Sequence, residues 1–325
     1  MDFKDFTAGK DDDGRRFDRV IRIFLDNKSL AEIYKLLRKG LIKLNHKKAK
    51  PDSHISQGDV ISIAAFLLDE KADNMNYPAS QNISSQNTKL NIVFENEHLL
   101  ILDKPYNKTV HGDKDGLYRD VENYYKSKPH KDNSSISFRP GPLHRLDRLT
   151  SGLIVFSMSL EGARWFSSGI KNHTISKKYY GLAQGKIQND ENWCDKLTDG
   201  GETEDGFYTV KEAVSGADDG VEAITIVHPL AYGKYHNTEV TLAEYAIKTG
   251  RKHQIRAQSM LHSHPLLGDT AYGAKKINSS REFYLQAYEL SFPENELGLP
   301  PFIRLPLASD FAAQLQCCEI ENPGL

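Results

Sequence analysis

The densest group of reactive side chains lies in Gly141-Pro142-Leu143-His144-Arg145-Leu146-Asp147-Arg148-Leu149-Thr150-Ser151-Gly152-Leu153-Ile154-Val155-Phe156. A Gly-Pro turn brings a carboxylate, two guanidinium groups and an imidazole to the mouth of an apolar run. Charge at the mouth of a buried strand is costly unless it is paired or used. A second polar group, Lys171, His173, Lys177 and Lys178, precedes Tyr179. It suits contacts to phosphate as well as it suits a solvated helix end. His253, His262 and His264 have no acidic or thiol ligands nearby, so they are not expected to hold a metal. His144 is expected to fix the turn, and His253 and His262 to pack or hydrogen-bond. The three cysteines, Cys194, Cys317 and Cys318, are odd in number and lack ligand spacing. A disulfide framework and a zinc ribbon are therefore not expected, and a reducing cytoplasm fits best.

The elements that must position these groups come in two textures. From Arg15 to Lys50, twelve basic residues face three acidic ones, whereas from Asp190 to Glu222 eleven acidic residues face two lysines. The net charge of −2 thus hides two opposite patches. A compact basic segment is the footprint of a polyanion-binding surface. Within it, Phe17, Val20, Ile21, Phe24 and Leu25 share a helical face. Ser29 can cap a second helix from Leu30 to Lys39, which Gly40 would stop. Short strands are expected at 41–44 and 60–63. Residues 1–14 read as a loose polar tail and residues 67–88 as a linker. Beyond it, strands are expected at 91–94, 99–103, 152–157, 179–185 and 241–247, and helices at about 117–127, 160–169 and 310–318. This irregular mixture favours α+β over a doubly wound fold. The organisation expected is a small basic domain at 15–66, the linker, and a larger domain at 89–325. Apolar residues make up 39% of the 325, enough for a sizeable core. No uncharged apolar run of about 18 residues exists, so no membrane span is expected. The start, Met1-Asp2-Phe3-Lys4-Asp5, lacks a signal-peptide core.

The stretch at 141–156 resembles the signature of the RluA family of pseudouridine synthases, in which His-Arg-Leu-Asp and Thr-Ser-Gly frame the catalytic aspartate. Three further segments carry the resemblance over most of the chain after residue 89. Residues 91–111 are similar to the family's opening segment, with Lys-Pro ahead of a Val-His pair. Lys177-Lys178-Tyr179 resembles its Lys-x-Tyr segment. Thr249-Gly250-Arg251-Lys252-His253-Gln254-Ile255-Arg256, followed by Gly268-Asp269-Thr270-Ala271-Tyr272-Gly273, resembles its third signature. The chain departs from the pattern at Leu149, where a polar residue is frequent, and at Lys252, where Thr or Ser is common. The acidic stretch 189–222 is longer and more charged than the family leads one to expect. The N-terminal unit, with Arg16-Phe17-Asp18 and Arg38-Lys39-Gly40, resembles the S-four-like RNA-binding domain that often precedes such catalytic domains.

The resemblance implies an α+β catalytic domain on a mixed, mainly antiparallel sheet, and an isomerase that turns uridine in RNA into pseudouridine. It makes Asp147 the catalytic carboxylate, attacking the sugar directly or taking a proton on a glycal route; both routes stay open. Tyr179 would stack on the base or take part in proton transfer. Arg256 would grip Asp147, since a guanidinium can hold a carboxylate with two bonds and keep its charge when buried. Arg145, two residues before Asp147, could fill the space left by a flipped nucleotide. Lys177, Arg251 and Ile255 complete the expected substrate-binding set. No metal or organic cofactor is implied. The partner expected is structured RNA, large-subunit ribosomal RNA first and transfer RNA second, bound by a cytoplasmic monomer. Two rivals are an idle RNA-binding factor on the same fold and a glycosidase-like hydrolase. The latter would need a second carboxylate that the signature does not mark.

Overall fold

A computed structural model describes residues 2–25, 28–68, 90–111, 116–128, 135–202, 208–213, 220–321 and 323–324. Most of the expected linker lies outside the described residues. The chain forms two compact units. The first comprises residues 1–89, 122–140 and 159–161, and the second comprises 90–121, 141–158 and 162–325.

In the first unit, helix α1 (Phe17–Phe24) buries Phe17, Val20 and Ile21, the face marked by the apolar spacing. Helix α2 (Leu30–Lys39) begins in a capping box: the Ser29 side chain accepts the Glu32 N–H and the Glu32 carboxylate accepts the Ser29 N–H. It ends at Gly40 in the left-handed region, φ 73°. Three antiparallel strands, β1 (Phe3–Thr7), β2 (Ile42–Leu44) and β3 (Val60–Ala64), pair in the order β1-β3-β2. Residues 3–7 therefore are not the loose tail that their polarity suggests. Phe3 and Phe6 pack against a core of Ile21, Ile33, Ile61 and Ile63, and backbone pairing with β3 holds the polar residues between them. Leu67 also lies in this core. Asp12 is fully buried and accepts hydrogen bonds from the Gly9 and Ile136 N–H groups, the Ser135 hydroxyl and both the N–H and hydroxyl of Ser137. Residues 135–137 are thereby tied to the N-terminal segment.

The second unit is built on an 11-stranded sheet. Its strands are β4 (Ile92–Glu95), β5 (Leu99–Lys104), β6 (Gly141–Pro142), β7 (Ser151–Ser157), β8 (Ser176–Gln184), β9 (Glu191–Glu202), β10 (Tyr208–Glu212), β11 (Val221–Tyr235), β12 (Thr238–Ile247), β13 (Leu285–Ser291) and β14 (Phe302–Arg304). The order is β10-β9-β11-β12-β8-β13-β7-β5-β4, with β14 on β13 and β6 on β7. Pairings among the described residues are antiparallel except β13 with β7, so the sheet is mixed and mainly antiparallel, as expected. Every residue of β7 is buried, which explains its unbroken apolar texture. Helices α3 (Leu117–Ser127), α4 (Leu160–Lys171), α5 (Gln254–Leu261) and α6 (Ser309–Cys317) complete the list of α-helices relevant here. Phe166 of α4 packs with Leu99, Ile101, Leu153 and Val155 on one face of the sheet. Phe311 and Leu315 of α6 pack with Tyr180, Leu182 and Tyr284 on another cluster. The acidic stretch 190–222, in which the sequence reading expects no strand, supplies β9, β10 and the start of β11.

Candidate active site

The loop between β6 and β7 carries Asp147 at the rim of a cleft of about 800 Å³. Its turn is closed by the Thr150 N–H, which donates to the Asp147 carbonyl at 3.1 Å. The residues that follow hold the loop to the sheet. Ser151 accepts a hydrogen bond from the Arg281 guanidinium at 2.9 Å. Gly152 sits at φ 110°, where a side chain is strained, and a Cβ there would land on the Ala287 backbone of the parallel neighbour β13. Thr-Ser-Gly is thus the sequence that lets β7 meet β13 closely while the loop before it stays raised.

Two groups fasten this loop, the partly buried His144 and the buried Lys104. His144 Nε2 accepts the Val155 N–H at 3.1 Å, and the ring stacks on Phe166. Burial, reinforced by the nearby Lys177 charge, pulls this imidazole down to about 3, so it is neutral and structural. Lys104, at the end of β5, is fully buried. Its ammonium donates to the carbonyls of Pro105 (3.1 Å), Lys108 (2.8 Å) and Arg148 (3.1 Å). Burial pulls it down to about 7 against the opposing pull of Asp147. Lys104 is the lysine of the Lys-Pro pair, to which motif reading gave no role although Asp147 feels its charge. A charge ending an apolar strand just before a proline was the available signal.

All seven candidate residues line the cleft: Asp147, Tyr179 and Arg256 with Arg145, Lys177, Arg251 and Ile255. Lys177 and Tyr179 reach it from β8 because residues two apart share a strand face. Both are buried. Burial, with the Asp147 charge adding to it, raises the Tyr179 phenol far above its ordinary value, so it stays protonated. Lys177 is pulled by burial to about 8. Lys178 points to the opposite side, 3.2 Å from Glu244, and His173 faces the Lys248 carbonyl at 2.9 Å. The basic run 171–178 therefore does not act as one cluster: strand alternation splits it. Arg145 is exposed, and Arg251 donates to the Glu222 carbonyl at 2.9 Å.

The expected grip of Arg256 on Asp147 is not formed. Its Nε and Nη2 donate to the two oxygens of Asp269, each at 2.7 Å. Both groups are buried, and two opposite charges in a low dielectric compensate each other best in this forked geometry. Burial works against the Arg256 charge, but the bonds and attraction of Asp269 hold it above its ordinary value. Asp147 lies within reach of this charge without being bonded to it. The nitrogen facing Asp147 belongs to His253, whose Nε2 is 3.8 Å from Oδ1. The loop 249–253 is held by Gln254, which accepts from the Thr249 hydroxyl and Arg251 N–H and donates to the Ile224 carbonyl. Among the described residues, no group of three or more His, Cys, Asp or Glu is placed to hold a metal.

A carboxylate partly exposed in a cleft, beside a protonated buried phenol, can act on a sugar while an aromatic face meets a base. The family model for RNA pseudouridylate synthase matches residues 98–261, which span this cleft from β5 to α5. The chain belongs to the RNA pseudouridylate synthase family. It is an isomerase of the type that the sequence resemblance implied. The ribosomal large subunit pseudouridine synthase C of Haemophilus influenzae is 27% identical over 302 residues, 91% of this chain and 88% of that one. The protein of that name from Vibrio cholerae is 24% identical over 278 residues, covering 82% and 79%. Human RNA pseudouridylate synthase domain containing 4 shares the fold with a TM-score of 0.57, at 20% identity over 72% of this chain and 94% of that one.

Proposed function

We propose that this pseudouridine synthase modifies specific uridines of large-subunit ribosomal RNA, with Asp147 as the catalytic carboxylate. The observation that carries the assignment is the position of Asp147 on the loop fixed by Lys104, in the same cleft as Tyr179. In the reaction, the N1–C1′ bond of uridine breaks and a C5–C1′ bond forms. The C5 hydrogen leaves as a proton and N1 gains one. Asp147 attacks C1′ or removes a sugar proton; either role needs it ionised. Tyr179, held as a phenol, stacks on the base or donates a proton. Arg145 fills the gap left by the flipped nucleotide, and Lys177, Arg251 and Ile255 line its path. Arg256 contributes positive potential through its pair with Asp269. The chain works as a cytoplasmic monomer without a cofactor.

The choice of ribosomal RNA is supported by the names of the relatives from Haemophilus influenzae and Vibrio cholerae. The basic segment 15–50 supports a docking role for an S-four-like domain at 15–66: eight of its twelve basic side chains are exposed. Folded RNA is recognised largely through shape and backbone, a task for a small rigid basic surface.

The test is tritium release from transcripts labelled at uridine carbon 5, comparing large-subunit ribosomal RNA with transfer RNA. Asp147→Asn, which keeps size but not charge, should abolish release while leaving RNA affinity intact. Residual turnover within about tenfold of wild type, roughly 1.4 kcal/mol in barrier, would remove Asp147 from its role. Release from transfer RNA alone would overturn the substrate assignment.

A further inference from the structure

His253 occupies a place in the cleft that the reaction as described does not use. Its backbone is left-handed, φ 50°, at the N-cap of α5. One ring nitrogen, Nδ1, lies 2.9 Å from the Tyr272 hydroxyl. The other, Nε2, lies 3.8 Å from Asp147 Oδ1. No other Lys, Arg or His nitrogen among the described residues comes within 4.0 Å of that carboxylate. Arg256, the cation expected to serve it, is engaged with Asp269, and Lys104 is engaged with three carbonyls.

The hydrogen bonds around Tyr272 decide which nitrogen of His253 carries the proton. The Val210 N–H donates to the phenol oxygen at 3.0 Å. With one lone pair of the phenol oxygen so taken, we assign the phenol proton to the Nδ1 contact, which makes Nδ1 the acceptor. Burial raises Tyr272 to about 12 and lowers His253 to about 4, so the phenol keeps its proton and the imidazole carries one. In that tautomer the imidazole proton sits on Nε2, on the side of Asp147. Val210 belongs to β10, part of the acidic stretch whose role the sequence left open.

We propose that His253 is a positioning residue for the reaction, an Nε2–H donor aimed at the Asp147 carboxylate, with its tautomer set by Tyr272 and, through it, by the Val210 N–H of β10. This rests on Asp147 being the catalytic carboxylate. When a uridine fills the cleft, water leaves and the carboxylate loses hydrogen bonds that solvent supplied. A donor that closes from 3.8 Å onto one carboxylate oxygen replaces a lost water and fixes which oxygen faces the sugar. An uncharged donor does so without the strong pairing by which an arginine in contact would blunt the carboxylate as nucleophile or base. The bidentate diversion of Arg256 to Asp269 fits this arrangement: its field is felt at Asp147, but among the described residues the nearest Lys, Arg or His nitrogen, at 3.8 Å, is that of His253.

The experiment measures single-turnover tritium release at saturating large-subunit ribosomal RNA transcript, together with RNA affinity and melting temperature, on the full chain. Four variants are compared: His253→Leu, His253→Gln, Tyr272→Phe and Asp147→Asn. His253→Leu should slow the chemical step by about 100-fold with unchanged affinity, the loss typical of a disturbed outer partner of a reacting group. His253→Gln, which can place an amide N–H where Nε2–H stood, should recover to within about tenfold of wild type. Tyr272→Phe should fall between them, because the ring is then free to take either tautomer. A His253→Leu enzyme within about threefold of wild type, with Asp147→Asn inactive, would overturn the positioning role and leave the catalytic aspartate standing. Equal loss in His253→Gln and His253→Leu would reduce His253 to a packing residue and overturn it too. If His253→Leu does not fold, a Tyr272→Phe enzyme that turns over at the wild-type rate overturns it. Full activity in Asp147→Asn would instead sink the reading on which the inference rests.

Discussion

Replacing Lys104 with methionine isolates the fastening of the catalytic loop from the stability of the fold. The side chains are similar in length, so no cavity opens at this fully buried site. Three carbonyls lose their donor, at about 2 kcal/mol each, or roughly 6 kcal/mol gross. Against that stands the relief of a buried charge. The ammonium is drawn from 10.5 to about 7, and 3.5 units at about 1.36 kcal/mol per unit is roughly 5 kcal/mol. The two nearly cancel, so the expected loss of stability is only about 1 kcal/mol. Catalysis has no such compensation. The Arg148 carbonyl is one residue past Asp147, and freeing it lets the carboxylate drift. A displacement of about 1 Å at a reacting group costs on the order of 100-fold in rate. Lys104→Met should therefore unfold in urea close to wild type yet lose about two orders of magnitude in single-turnover tritium release, with RNA affinity retained. Lys104→Arg should not rescue it, because a planar fork cannot direct its donors to three carbonyls converging on one point. An Arg variant with wild-type turnover would show that charge alone matters. A Met variant within about threefold of wild type would refute the fastening role altogether.

Gly152→Ala should cost about 2–6 kcal/mol, combining strain at φ 110° with overlap on the Ala287 backbone, and chemical denaturation should register it; unchanged stability would contradict the close β7–β13 approach. The chain should lose stability in mild acid through its buried imidazoles. His253 and His144 are held down to about 4 and about 3, so below the ordinary 6.5 the unfolded chain takes up protons that the folded chain refuses. Their contribution is complete above about pH 6.5 and falls with decreasing pH, by about 3 kcal/mol from His253 by pH 4. Urea midpoints measured between pH 7 and 4 should fall less steeply in His253→Gln, and identical slopes would refute the buried neutral imidazole. Asp12→Ala should cost about 3–5 kcal/mol by stripping a buried acceptor from five donors, read as a lowered melting temperature; a loss under about 1 kcal/mol would show that water replaces it.

What could be read in the chain and what could not divides along the range of the interactions. Local periodicity and capping residues carry α1, α2 and β7, because the signals that make them lie within a few residues: Ser29 with Glu32, Gly40 at a positive φ, an unbroken apolar run. Strand β1 escaped because a strand of low apolar content is stabilised by its partner: Phe3 and Phe6 mean little until β3 is there to pair with the backbone between them. The acidic stretch escaped for the same reason, since its solvated face dominates the composition while the buried side chains, Trp193, Leu197 and Val210, are spread thinly over two strands. The site shows the contrast most sharply. The identities of its residues stand in the motifs, but partner choice among them depends on distances across the fold. Sequence offers Arg256 two carboxylates, Asp147 and Asp269, and cannot rank them. The fold does, because Asp269 is buried beside the guanidinium and would otherwise be an uncompensated charge, whereas Asp147 keeps some contact with solvent. A buried carboxylate has the greater claim on a buried cation. The one that keeps some contact with solvent is left free for chemistry.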